Sequence, residues 1–291
     1  MKNLFKSILI IIFISLLQLL IYDLYLKSII TTWGASEYEV SMPMAGDDEN
    51  LMITSTRAIL INAPQAEVWK WLIQLGADRG GFYSYDFIEK MLGYDTRDQD
   101  MIKPEFTEIK VGEIIRGSIN EQRSIIPYNF RVLYVKPQDA FVLDHWGTFL
   151  LIKVNNQQTR LVIRSQESKT SNPWVKIANY IAVPLHFIME RRTLMGIKER
   201  AEIGAGVKLS QTQDIVWFYG IVLSGFLICV LVFIGRGIFQ SIIITSVFST
   251  VWMFSIFLFD PIPLFSIGLL IMICVTIVSV QLIHKTSRRL L

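Results

Sequence analysis

Four stretches of the chain are almost uninterrupted runs of apolar residues, and between the first and second lies a long region where apolar and polar positions alternate. The first run, Leu4 to Tyr22, is broken only by Lys6, Ser7, Ser15 and Gln18. Ile215 to Ile234, Ile238 to Phe259 and Leu264 to Ile283 contain no charged residue. A helix of about 20 apolar residues crosses the hydrocarbon layer of a bilayer, so each run predicts a transmembrane helix. Their serines and threonines can bond back to their own helix backbone. Gly235-Arg236-Gly237 and Asp260-Pro261-Ile262-Pro263 are short separators, which make the last three helices antiparallel neighbours. A cleaved leader is the rival reading of the first run, with a site near Gly34-Ala35-Ser36. The run is long for a leader and lacks a small-x-small site at its end, which favours a retained anchor.

The region between reads as one water-soluble domain. Trp33 to Asn50 carries Pro43, Gly46 and the Asp47-Asp48-Glu49 cluster, an extended lead-in. Thr54 to Asn62 alternates apolar and polar residues, a strand pattern. Pro64 opens a helix with Val68, Trp69, Leu72 and Leu75 on one side, ended by Gly76. A second short helix is expected over Ser84 to Leu92. From Glu105 the period becomes two: Thr107–Ile109 running to Ile114–Arg116, then Asn129–Val135, Ala140–Asp144, Thr148–Val154 and Thr159–Ser165, with turn-forming separators. Pro173 to about Ile203 closes the domain as a long helix, with Ile177, Ile181, Leu185, Ile188 and Met195 near helical period and Pro184 expected to kink or divide it. This order predicts an α+β domain with helices on one side of a curved antiparallel sheet, flanked by four transmembrane helices. Its segments are an anchor over 1–26, a lead-in over 27–53, the domain over 54–205 and a three-helix region over 214–285.

Charge sharpens the picture. An apolar fraction of 52% and a net charge of +3 describe the whole chain. Six of its 28 basic residues and three of its 25 acidic ones lie on the membrane flanks, leaving 22 of each sign between Lys27 and Gln213. A neutral domain offers no footprint for nucleic acid. Lys2 and Lys6 at one end, Arg236 in a turn, and His284, Lys285, Arg288 and Arg289 at the other end predict cytoplasmic termini, by the excess of basic residues in cytoplasmic flanks. An even number of spans then puts the domain outside the cytoplasm of a multi-pass cell-membrane protein. Both cysteines, Cys229 and Cys274, fall in apolar runs, so the domain has no disulfide, thiol nucleophile or zinc–thiolate site.

The domain resembles the START-like, or SRPBCC, superfamily of helix-grip folds, and a bacterial membrane-anchored subgroup of it in particular. The resemblance is carried by Trp33-Gly34-Ala35-Ser36, Pro43 to Asp47, Ile61-Asn62-Ala63-Pro64 with Val68 to Gly76, and Arg79 to Asp86 with Ile88-Glu89. Pro104-Glu105, Val111-Gly112-Glu113, Thr159-Arg160-Leu161 and Met189 to Glu202 complete it. It spans about Trp33 to Glu202 and implies a hydrophobic-ligand-binding fold with a cavity between sheet and C-terminal helix. It implies no reaction and supplies no catalytic residue, and fold alone does not choose among carriers, cyclases and regulators.

Arg79 to Asp86 is the densest set of functional groups. Arg79, Phe82, Tyr83, Tyr85 and Asp86 read either as the mouth of a ligand cavity or as structure: Asp86 capping the second helix, satisfied tyrosines, and Arg79 paired with a carboxylate. Trp146 and Arg164 are further ligand-binding candidates. His145 beside Asp144 is poorly placed for acid–base work, because neighbours on a strand point to opposite faces. His186 and Glu190, four apart on one helix face, form the better-spaced pair and with Asp86 are the catalytic candidates, His186 being a ligand candidate too. No metal site or cofactor is expected, and no GxSxG elbow or phosphate loop is present. The run from Glu190-Arg191-Arg192 to Lys198-Glu199-Arg200 reads as a solvated face with i,i+4 pairs or, with the membrane about a dozen residues on, as a face that meets lipid headgroups. The leading functional reading is a tethered module binding a lipid or other hydrophobic small molecule. The alternatives are a cyclase- or hydrolase-type enzyme, or a sensor or assembly protein whose helices meet a membrane-protein partner at seams such as Ser224-Gly225.

Overall fold

A computed structural model of the chain describes residues 2–93, 98–119, 129–235 and 237–289. They fall into two compact units, one from both chain ends (1–29 and 210–291) and one from the middle (30–209).

The first unit is helical. α1 (Lys2–Ile21) continues through one π-helical turn (Tyr22–Leu26) into α2 (Lys27–Thr31); α7 (Thr212–Ile234), α8 (Ile238–Phe257) and α9 (Pro263–Arg289) complete it. Among the described residues, four helical spans are long and apolar enough to cross a membrane: Phe5–Thr31, Thr212–Ile234, Ile238–Phe257 and Pro263–Leu282. The first outlasts the apolar run that predicts it. Its π turn absorbs Asp23 without breaking the ladder, with Lys27 N–H donating to Tyr22 O. Small residues let α7 and α9 approach: a Cβ on Gly220 would lie 2.5 Å from Ser266 Oγ. Trp252 Nε1 on α8 donates to Ile221 O at 2.8 Å. Ser224 is buried in the bundle, and a Cβ on Gly225 would meet the Trp252 indole at 3.4 Å, so the chain's own α8 occupies that seam. Arg236, the basic residue of the first turn, lies outside the described residues.

The second unit is α+β. Strands β1 (Leu51–Ile61), β2 (Ile114–Arg116), β3 (Asn129–Lys136), β4 (Ala140–Leu143), β5 (Gly147–Lys153) and β6 (Thr159–Ser168) form one sheet in the order β1-β6-β5-β4-β3-β2. Every pairing is antiparallel. The expected strand over Thr107–Ile109 does not form; a single 3-10 turn, Pro104–Phe106, stands just before it. Helices α4 (Gln65–Leu72), α5 (Asp86–Met91) and α6 (Pro173–Ile203) complete the unit. Pro184 sits inside α6, which runs through it undivided.

Residues paired across β1 and β6 share a face, which sorts the sheet into two sides. Arg57 opposite Ile163 and Ser55 opposite Ser165 lie on the inner side with Leu161 and Ile61; Thr56 opposite Arg164 and Ala58 opposite Val162 lie on the outer side. The inner side builds the main core, where Phe141, Phe149, Leu151 and Ile163 meet Trp69, Trp71, Tyr83, Leu194 and Ile197. Phe141 stacks on Phe149 at 4.8 Å, and Trp69 meets Phe141 edge-on at 6.1 Å.

The outer side is covered by the lead-in, which is folded rather than extended. Ser36-x-x-Glu39 is a capping box that nucleates α3 (Glu37–Ser41): Ser36 Oγ accepts from Glu39 N–H while Glu39 Oε2 accepts from Ser36 N–H. Gly34, at φ 69°, is needed because any Cβ there would strike Ala58 O. Two arginines four residues apart on the outer face of β6 fasten this segment. Arg160 Nε donates to Glu39 Oε1 at 2.7 Å, and Arg164 donates to Met42 O, Glu39 O and Val40 O and to Asp47 Oδ2.

Candidate functional site

The expected site residues separate into distinct clusters. Arg164 faces the outer side, away from α6, and its guanidinium is spent on the lead-in segment. It cannot share a cavity with His186, because strand register sends the two to opposite faces. Arg79 is buried and pairs with Glu113 at 2.7 Å, its guanidinium lying over the Phe106 ring. Phe82 and Trp146 come together, with ring centroids 5.6 Å apart, in an aromatic group with Phe130 and Phe149. Tyr85 is fully buried and serves as N-cap of α5, so Asp86 is the first helical residue rather than the cap.

Tyr83 and Asp86 belong to a buried ionic knot that sequence reading does not find. Tyr83 is fully buried at φ 56°, with its ring beneath the Arg200 guanidinium at 4.5 Å and its N–H donating to Asp98 Oδ1 at 2.6 Å. Arg200 also reaches Asp100 Oδ1 at 3.0 Å and Asp98 Oδ2 at 3.7 Å. Asp86 Oδ1 accepts from Asp98 N–H. Burial, then the neighbouring Asp86 and Glu89 charges, pushes the Asp98 carboxyl well above the ordinary carboxylate range; Arg200 opposes this. Burial likewise raises Asp86 and the Tyr83 phenol. No room for a Cβ exists at Gly196 of α6, which would strike Tyr83 O. Tyr83, packed against Arg200 and Gly196, therefore locks the second half of α6 in place, and Asp86 joins this knot through Asp98.

His145 and Asp144 occupy the turn between β4 and β5, with His145 at φ 61°. The strand rule that separates neighbours does not apply there, yet the two side chains stand 3.6 Å apart, too far for a hydrogen bond, and both are well exposed.

His186 and Glu190 come together as the spacing predicts, His186 Nε2 lying 3.2 Å from Glu190 Oε2. Their partners are new. Glu190 is buried and pairs through Oε1 with Arg57 Nη1 at 3.0 Å, while Ser165 Oγ donates to its other oxygen at 3.3 Å. Arg57 Nε donates to Ile30 O at 2.7 Å, and its guanidinium lies over Phe187. Burial holds the His186 imidazole below its ordinary value, and the Arg57 charge acts the same way against the pull of Glu190. Arg57 could have been suspected: it sits in phase with Ile59 and Ile61, a charge at a core-facing strand position.

This polar belt marks where the tight packing of α6 on the sheet stops, since no residue from Pro173 to His186 is buried. Inward of it the sheet and α6 are closed by the core. On its other side, Met52 near the start of β1 is half exposed on the inner side opposite Glu167, and Tyr180, Val183 and Pro184 of α6 are half-buried. Asn179 Nδ2 donates to Glu167 Oε2 at 2.6 Å, joining α6 to β6. Burial raises the Glu167 carboxyl, partly offset by that bond. The arrangement sets partly exposed apolar side chains beside a half-exposed histidine and a buried ion pair.

No family model matches the chain, and no curated protein matches it. Among solved structures it is similar to the Aha1 dimer from Colwellia psychrerythraea, determined in solution, at 18% identity over 52% of this chain and 97% of that one, with a TM-score of 0.30. At that score no conclusion about family or function rests on the likeness.

Proposed function

We propose that the protein is a membrane-tethered domain of START-like kind that takes a lipid or other hydrophobic small molecule at the opening between the sheet and the first half of α6. The observation that carries this reading is the partial exposure of the apolar Met52, Tyr180 and Val183 beside the Arg57–Glu190–His186 belt. An apolar mouth with few polar groups at its base suits a ligand with an apolar body and one polar end. A retained anchor is supported by the bonds that Ile30 O and Trp33 O accept from Arg57 Nε and Ala58 N–H, which make the residues around Gly34 part of the domain's packing. Both termini lie in the cytoplasm and the domain outside it, on the strength of Lys2, Lys6 and the basic C-terminal end.

Native mass spectrometry with lipid extraction on the detergent-purified full chain tests the reading. A defined apolar molecule should accompany the protein, and Val183→Asp, which places a charge in the opening, should release it while the domain stays folded. A chain that carries no such molecule, or that holds it equally well with Val183→Asp, sinks the proposal. A second reading has one observation behind it, the half-exposed His186 ring braced by Glu190, an arrangement suited to a general base. It requires turnover of the bound molecule that His186→Gln abolishes without releasing it.

A further inference from the structure

The first half of α6 carries its apolar residues on the wrong side for a helix in water. No residue from Pro173 to His186 is buried, and Lys176 is the only charged residue from Pro173 to Ile188. Trp174, Ile177, Ile181 and Leu185 recur at three- and four-residue spacing, so they form one stripe, and they are 77%, 51%, 56% and 60% exposed. The opposite side, two positions round from each, holds Lys176, Asn179, Val183 and the sheet-facing Phe187. A soluble helix buries its apolar stripe and exposes its polar one, so this half is inverted. The stripe also lies on the other side of α6 from Val183 and Phe187, so a small molecule at the proposed ligand site would leave it uncovered.

Covalent connectivity names the occupant. Phe187, at the centre of α6, meets Trp33 edge-on at 6.3 Å, and Trp33 comes two residues after the first membrane-length span ends at Thr31. α6 itself ends at Ile203, and the next span begins at Thr212. The connecting residues 204–211 reach at most about 28 Å when fully extended. The helix is thus tied to the bilayer from its middle and from its end. Tryptophan beside a short apolar stripe, with a lysine on the other side, is the composition of a helix lying in the plane of a membrane surface.

We infer that the first half of α6, Trp174 to Leu185, is seated in the headgroup–acyl boundary of the bilayer that the four helices span. Lys176 and Asn179 face water and the sheet, and the stripe faces lipid.

Site-directed spin labelling of the full chain in phosphatidylcholine–phosphatidylglycerol nanodiscs tests this. Cys229→Ser and Cys274→Ser provide the background, with single labels at Ile177→Cys, Ile181→Cys and, on the other side, Lys176→Cys. Labels at positions 177 and 181 should collide with dissolved oxygen several-fold more, relative to a water-soluble nickel chelate, than the label at 176. Equal nickel access at all three positions overturns the inference. Dipolar broadening between labels at 177 in discs holding two chains also overturns it, in favour of a second copy covering the stripe. Brominated lipids give an independent readout on unlabelled protein: they should quench a fluorescence component that Trp174→Phe removes, and an identical quenching curve for the two proteins overturns it. Val183→Asp separates the two proposals, since it empties the opening but should leave the labels at 177 and 181 in lipid.

Discussion

The two halves of α6 reverse what their compositions suggest. The first half is nearly free of charge and stands exposed; the second is crowded with charge and is buried. Glu190, Arg191, Arg192 and Arg200 are all at or below 7% exposure, so the run expected to be a solvated face is part of the core. Each of these charges has a route to compensation. Arg57 meets Glu190, Arg192 meets Glu199, Arg200 meets Asp98 and Asp100, and Arg191 lies over the Phe187 ring. Burying a charge is tolerable only with such partners. The contrast separates the two things a helix can do here: one half is fixed by specific, directional contacts, and the other is left free to meet an apolar phase.

The largest test of the contrast removes one side of a buried pair. Glu190→Leu leaves the Arg57 guanidinium buried without its carboxylate and should cost about 3–5 kcal/mol of domain stability. Denaturant unfolding of the full chain, followed by tryptophan fluorescence, measures it. The double variant Arg57→Met with Glu190→Leu should recover most of the loss, because two apolar side chains need no compensation. A single variant as stable as the wild type would show that the belt does not lock the helix.

A smaller effect is expected on the outer side of the sheet. Burial pushes the Glu39 carboxyl up, but the bonds from Arg160 and Ser36 outweigh it and hold the group below its ordinary value. A carboxyl lowered in the folded state contributes stability that is fully present above its unfolded value, about 4.3, and is lost as the pH falls through the folded value. Hydrogen exchange of residues 36–47 should therefore accelerate as the pH drops below about 4. Glu39→Gln should exchange faster at neutral pH and show no such step; an unchanged acid step would assign it to another group.

The smallest effect belongs to the exposed stripe. Ile177→Ser with Ile181→Ser should change domain stability in detergent by no more than about 0.5 kcal/mol, since neither side chain is packed against the domain. A loss of several kcal/mol would mean that the first half of α6 is part of the core after all.

Legibility followed the range of the interactions. The four membrane-length helices, the short strands and the full extent of α6 rest on local periodicity, which a single chain displays openly. Even the folded lead-in had a visible signal in Ser36-x-x-Glu39. The position of Arg164 is different. That β6 alternates was readable, but which of its phases faces α6 depended on its register against β1. The belt was further out of reach, because Arg57 and Glu190 are separated by 133 positions. The apolar residues at Ile177, Ile181 and Leu185 mark a helix correctly, but periodicity says only that a helix has an apolar side, not whether the domain is long enough to cover it.

The sequence by itself determined the segments: which stretches suit a bilayer, which form strands, and where the long helix begins and ends. These follow from local propensity and from the period at which side chains return to the same side. Tertiary structure alone decided which sides face each other, and with that the fate of every charge on α6. Desolvation penalties and their compensation depend on partners brought together from distant parts of the chain, and that pairing exists only once the sheet has closed beneath the helix.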